Sequence, residues 1–164
     1  MSVLVGYVPT PEGRAALVRA VLECRLRRSR LIVINAEQIS GGAQRTFTGS
    51  PADEVRVICA ELGVDQPEVE VRRFPNAYEP ADDLLAVAEE AGAELIVIGL
   101  RRRTGVGKLI LGGSAQRILL DATCPVLAVK TEVRAADRGA RAATGSLIIP
   151  EKAAEHVTAG PESR

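Results

Sequence analysis

The stretch "ELIVIGLRRRTGVGKLILGGSAQRIL" runs from Glu94 to Leu119. Leu95 to Gly99 is short and apolar throughout, so both of its faces ask for burial. In a strand this means the interior of a parallel sheet covered on both sides. The run ends in Arg101, Arg102 and Arg103 and passes into a glycine-rich segment. Between Gly99 and Ser114 the basic residues are these three arginines and Lys108, and no acidic residue interrupts them. Ala115, Ile118, Leu119 and Ala122 then recur at i, i+3, i+4 and i+7, the spacing of one helix face. A buried strand, a basic loop and an amphipathic helix, in that order, make one unit of an alternating β/α fold.

The rest of the chain repeats the unit. Val3 to Tyr7 reads as a buried strand ended by Pro9 and Pro11, and a helix follows from Pro11 to about Arg28. Its inner face carries Leu17, Val21 and Cys24, with Val18 and Leu22 beside them. The arginines at its end suit the negative pole of the helix dipole. Leu31 to Asn35 is a second buried strand, followed by a polar, glycine-rich loop. Ser50-Pro51 opens a helix, since serine caps and proline fits the first turn. That helix buries Val55, Ile58, Cys59 and Leu62 and stops at Gly63. Glu68 to Phe74 alternates, as a half-exposed edge strand does. Pro80, Asp82 and Asp83 start a helix that buries Leu84, Ala88 and Ala91; the two acids read as first-turn residues rather than a catalytic pair. Pro125 to Lys130 is the last strand. The fold class is therefore α/β, an open five-stranded parallel sheet with helices on both faces. Residues 1–131 form the domain. Residues 132–164, rich in Ala, Arg and Gly, read as a disordered tail with one apolar island at Leu147 to Ile149.

Composition excludes several functions. The 164 residues carry 21 basic and 21 acidic side chains, so net charge gives no support to a nucleic-acid or membrane-surface role. Two Tyr, two Phe and no Trp leave few rings on which bases could stack. Cys24, Cys59 and Cys124 are widely spaced and form no CxxC pair, which points to buried thiols in a reducing cytoplasm and to no metal. The N-terminus enters an apolar run without a basic leader, and no run is long enough to span a membrane. The only histidine, His156, falls in the tail.

The glycine-rich segment fails two familiar phosphate-loop templates. A P-loop needs glycine where Arg102 stands and a hydroxyl where Leu109 stands. The dinucleotide fingerprint is absent after the first strand, and Gly105-Val106-Gly107 does not complete it. "SGGAQ" is only weakly like the pyrophosphate loop of ATP-splitting ligases, and it follows the wrong strand. In an open α/β sheet, ligands sit beyond the carboxyl ends of the strands, where strand order reverses. The loop after Gly99 leaves such an end.

From Val3 to Lys130 the chain resembles the universal stress protein family. The resemblance rests on the order of elements and on "IGLRRRTGVGKLILGGSAQRILLDATCPVLAVK", which includes the "TCPVLAV" ending. Nucleotide-binding members carry Gly-x2-Gly-x9-Gly followed by Ser, Thr or Asn. Gly99 and Gly112 match the first and third glycines. Arg102 stands in place of the second, Gly113 in place of the hydroxyl residue, and Ser114 one position late. The resemblance implies an adenine nucleotide α-hydrolase-like sheet of order 3-2-1-4-5. It also implies ATP or another adenine nucleotide, with Mg, at Gly99, Arg101, Arg102, Gly112, Gly113 and Ser114. The family's aspartate at the end of the first strand corresponds to Val8, which cannot accept a hydrogen bond through its side chain. The backbone contact after the second strand corresponds to Ala36.

Each of these residues has a plainer role open to it: a solvated turn for the arginines, a helix cap for Ser114, a core or rim position for Val8. Glycine permits close backbone approach, and Gly112-Gly113-Ser114 leads into a helix N-terminus that favours anions. The last strand is apolar on both faces. At a sheet edge it needs cover, which predicts a homodimer through Val126, Leu127, Ala128 and Val129. The expected function is a cytoplasmic stress-response module that binds nucleotide, with no catalytic residues and at most weak ATP hydrolysis. The alternative is a member without ATP that acts through an unidentified protein partner.

Overall fold

The computed structural model describes residues 1–35, 49–73, 80–100 and 111–131. Nine elements alternate: β1 Ser2–Tyr7, α1 Pro11–Arg27, β2 Arg30–Asn35, α2 Pro51–Leu62, β3 Val69–Arg73, α3 Pro80–Glu90, β4 Ala93–Leu100, α4 Gly113–Asp121 and β5 Val126–Lys130. The strands form one parallel sheet in the order β3-β2-β1-β4-β5. This is the expected order, and its reversal falls between β1 and β4.

The pleat sends alternate residues of each strand to opposite faces. Val3, Val5, Leu31, Val33, Leu95 and Val97 pack under α1 and α2 with Leu17, Val21, Val55 and Ile58. Leu4, Ile32, Ile34, Ile96 and Ile98 pack on the other side with Leu84, Ala88 and Ile118. β1, β2 and β4 are buried on both faces, which is why their sequences are unbroken apolar runs. β3 is half-exposed and lies at one edge, as its alternation predicts.

Local signals fix the helix ends. Thr10 caps α1: its side chain accepts from the Gly13 N–H at 3.2 Å. Ser50 and Asp53 form a reciprocal capping box on α2, and Gly63 ends that helix at a φ of 63°. α1 ends instead at Arg28, a non-glycine in the left-handed region with a φ of 54°.

Four expectations need correction. Leu62, in the last turn of α2, is 39% exposed rather than buried. Leu119 is 38% exposed, so Ile118 alone is the buried residue of α4. Ser114 is not a cap: the N-cap is Gly112, and no side chain bonds to the helix start. Cys24 and Cys59 are buried, but Cys124 is only half-buried. The loop after β2, the arginines after β4 and the expected tail lie outside the described residues.

Candidate functional site

Each strand of a parallel sheet points the same way, so the starts of α1 and α4 both lie at its carboxyl edge. There the first turn of α1 is locked to the ends of two neighbouring strands. The Thr10 N–H donates to the Val8 carbonyl at 2.7 Å, and the Arg14 N–H donates to the Thr10 carbonyl at 2.9 Å. A Cβ on Gly13 would lie 1.9 Å from the Val8 carbonyl oxygen, beyond the end of β1. A Cβ on Gly99 would lie 2.4 Å from the Glu12 carbonyl oxygen, at the end of β4. Both glycines are needed for this packing whatever else they do.

Gly112 and Gly113 are different. Gly112 has a φ of −64°, which any residue adopts. A Cβ on either would meet nothing within 4 Å among the described residues. Both glycines and Ser114 are exposed. The Gln116 N–H is the first to bond back, to the Gly112 carbonyl at 3.0 Å. The earlier N–H groups of the helix have no intrahelical acceptor, as at every helix start. No side-chain cap among the described residues serves them either. Among the described residues the start of α4 is thus smooth, open and rich in N–H donors, at the positive pole of the helix dipole. Arg117 holds α4 to α3 through Asp82 at 2.8 Å and also reaches Asp121 at 3.6 Å.

The chain belongs to the universal stress protein family. The family model, described as the universal stress protein family, matches residues 1–130. A universal stress protein of Mycolicibacterium smegmatis is 40% identical over 128 residues, covering 78% of this chain and 96% of that one. Among solved structures, a universal stress protein from Archaeoglobus fulgidus superposes with a TM-score of 0.60 at 27% identity, covering 79% of this chain and 98% of that one. Another structure, described as the Archaeoglobus fulgidus universal stress protein in complex with dAMP, gives a TM-score of 0.56 at 24% identity over 79% of this chain and 98% of that one. At that identity it speaks for the fold.

Within this family frame the expected site residues divide. Gly99, Gly112, Gly113, Ser114 and Val8 belong to elements that meet at the carboxyl edge of the sheet. Val8 is half-buried, and its carbonyl is already engaged by Thr10. Arg101, Arg102 and Ala36 lie outside the described residues. Sequence reading missed Thr10, Gly13 and Glu12, the turn that sets the floor of this edge. A usable signal was present: threonine before proline, with glycine three residues on, is a capped helix start.

Among the described residues no three His, Cys, Asp or Glu side chains gather as a metal site. No helix among them is long and apolar enough to cross a membrane. Burial pushes the Cys24 thiol up to about 12, with Glu94, Glu23 and Cys59 adding to the shift. Burial also raises Cys59 and Cys124. None of these thiols has the environment of a nucleophile.

Proposed function

We propose that this universal stress protein is a cytoplasmic regulatory module that binds an adenine nucleotide at the carboxyl ends of β1 and β4. The observation that carries the reading is the start of α4. Gly112 and Gly113 are required there neither by backbone angle nor by packing among the described residues. Glycine suits Gly112 as the N-cap, but Gly113 has no such reason, and two successive glycines before uncapped N–H groups are what close approach of a phosphate calls for. In this reading Gly112, Gly113 and Ser114 receive the phosphates, and Gly99 opens the loop that brings Arg101 and Arg102 above them. Ala36 offers its backbone to the base. Mg, where present, is held by the phosphates. The dAMP complex of a relative with the same fold supports the ligand class.

The fit is incomplete at Val8, which supplies no side-chain acceptor. Affinity then rests on the phosphate end, and selectivity among bases is weak. The reading is of a binding module rather than an efficient enzyme; the only histidine, His156, falls outside residues 1–131, which we read as the family domain. Residues 132–164 are an extension beyond it.

The module is a homodimer in this reading. β5 lies at a sheet edge, and Val126, Leu127, Ala128 and Val129 are all partly exposed. A second copy of β5 would pair its free edge.

The test begins with purified protein, denatured and assayed by chromatography for released adenine nucleotide. Mg-ATP is then titrated calorimetrically into the stripped protein. Bound nucleotide or micromolar affinity is expected. No nucleotide and no heat would overturn the reading and leave a module that acts through protein contacts.

A further inference from the structure

Arg14, in the first turn of α1, joins that helix to α2. Its Nε donates to Glu54 Oε1 at 2.9 Å, and its Nη2 donates to Glu61 Oε2 at 2.6 Å. One guanidinium therefore serves two carboxylates. Glu61 is largely exposed, at 55%, whereas Glu54 is enclosed, at 2%. The second oxygen of Glu54, Oε2, is buried without a hydrogen-bond partner among the described residues. A buried carboxylate with half its acceptor capacity unmet is costly to keep charged. Burial raises the Glu54 carboxyl above the ordinary glutamate value; the bond from Arg14 opposes this and the charge of Glu61 adds to it. Arg14 from α1 and Glu61 from its own helix are the charged groups that act on it.

This cluster is one residue away from the floor of the site. Glu12, Gly13 and Arg14 are consecutive: the first abuts Gly99, the second abuts Val8, and the third bonds Glu54. We propose that Glu54 is a positioning residue for the nucleotide site, its Oε1 accepting from Arg14 and so holding the first turn of α1 in either protonation state, and that proton uptake at the unpartnered Oε2 strengthens the binding of an anionic ligand there. With both acids ionised the cluster carries one net negative charge; with Glu54 protonated it carries none. Loss of a negative charge beside the first turn of α1 favours an anion at the sheet edge that this turn borders, and by linkage the bound anion favours the proton in return. The proposal rests on the nucleotide reading above and adds its regulation by pH.

The sign for stability follows from the direction of the shift. A folded-state value above the unfolded one means that the folded protein holds the proton more tightly. The stability that the proton confers is complete below the unfolded value and is lost as pH rises through the folded one. Glu54→Gln has no proton to lose, so its stability relative to wild type rises with pH across that window.

The experiment combines three measurements on the full chain. The Glu54 carboxyl is titrated by carbon NMR, the stabilities of wild type and Glu54→Gln are followed against pH, and ATP without metal is titrated into both proteins at about pH 8 and about pH 5.5. The ligand's own phosphate titration cancels in the ratio of the two proteins. The expected results are a Glu54 midpoint above the ordinary value, a mutant advantage that grows with pH, and an affinity gain on acidification about two- to fivefold larger in wild type. Parallel affinity profiles, or a midpoint at or below the ordinary value, would overturn the proposal. If Glu54→Gln does not fold, Glu61→Gln decides: removal of that exposed charge lowers the Glu54 midpoint, and an unmoved midpoint sinks the idea. If neither protein binds ATP at either pH, the nucleotide reading fails and the ligand linkage with it. The midpoint and the stability slope still decide whether this cluster takes up a proton.

Discussion

A Cβ placed on Gly99 would sit 2.4 Å from the carbonyl oxygen of Glu12. The end of β4 and the first turn of α1 are thus in backbone contact, and no side chain fits between them. Gly99 is at once the first glycine of the family's nucleotide pattern and a packing requirement of this fold. Gly112, the third, has no such requirement among the described residues. The two glycines therefore differ in what the packing of the fold asks of them.

Gly99→Ala should cost about 2–3 kcal/mol of stability, because the new methyl must displace backbone rather than a flexible side chain. Gly112→Ala should cost only about 0.5–1 kcal/mol, the preference of an N-cap for glycine over alanine, and weaken nucleotide binding several-fold. Urea denaturation with calorimetric binding on each variant checks both halves. Equal stability losses at the two positions would contradict the distinction.

Thr10→Ala should destabilise by about 1–2 kcal/mol. It removes the side-chain acceptor that the Gly13 N–H has at a buried helix start. The same turn seats Glu12 against Gly99, so nucleotide affinity should fall with it. Thr10→Ser retains the acceptor and should recover most of both. A serine variant as impaired as the alanine one would show that the methyl group, not the cap, matters.

Leu127→Arg should convert a dimer to a monomer at micromolar concentration, read by sedimentation velocity. Leu127 is partly buried and packs against the α1 side of the core. Circular dichroism must therefore show the sheet intact for the result to count. A wild-type chain that sediments as a monomer, or a folded variant that remains a dimer, would remove the β5 interface from the proposed function.

Iodoacetamide at about pH 8 should label Cys124 first, because it is only half-buried. Cys24, held up to about 12 and buried, should react only when the protein opens. Its labelling rate should match global unfolding in urea, by peptide mass spectrometry. Fast native labelling of Cys24 would mean that the α1–α2 side of the core opens locally.

Strand and helix identities were legible because burial imposes a pattern on sequence. Val3 to Tyr7, Leu31 to Asn35 and Leu95 to Gly99 have no polar face, and a strand without a polar face belongs in a sheet covered twice. Ser50, Gly63 and the half-exposed edge strand, seen over Val69–Arg73 of the expected Glu68 to Phe74, were equally direct, since caps and edges are local. α4 was read less well. Its pattern named Leu119 as inward, yet α4 packs through Ile118, and a short helix at the edge of a layer buries less than a full stripe. Ser114 had two roles open to it, a cap or a ligand contact; Gly112 occupies the cap, and glycine at an N-cap leaves no side-chain mark to read.

The sequence by itself determined the class of fold and the family, and it names the edge of the sheet proposed for a ligand. Each follows from periodicity or from residues close together in the chain. Only the tertiary structure decided why Gly99 and Gly13 must be glycine, which cation serves Glu54, and which glycines packing leaves unexplained. Those facts depend on contacts between Gly99 and Glu12, Gly13 and Val8, and Arg14 and Glu54. Most of these partners are far apart in the chain, and a one-dimensional pattern carries no record of which backbone lies against which.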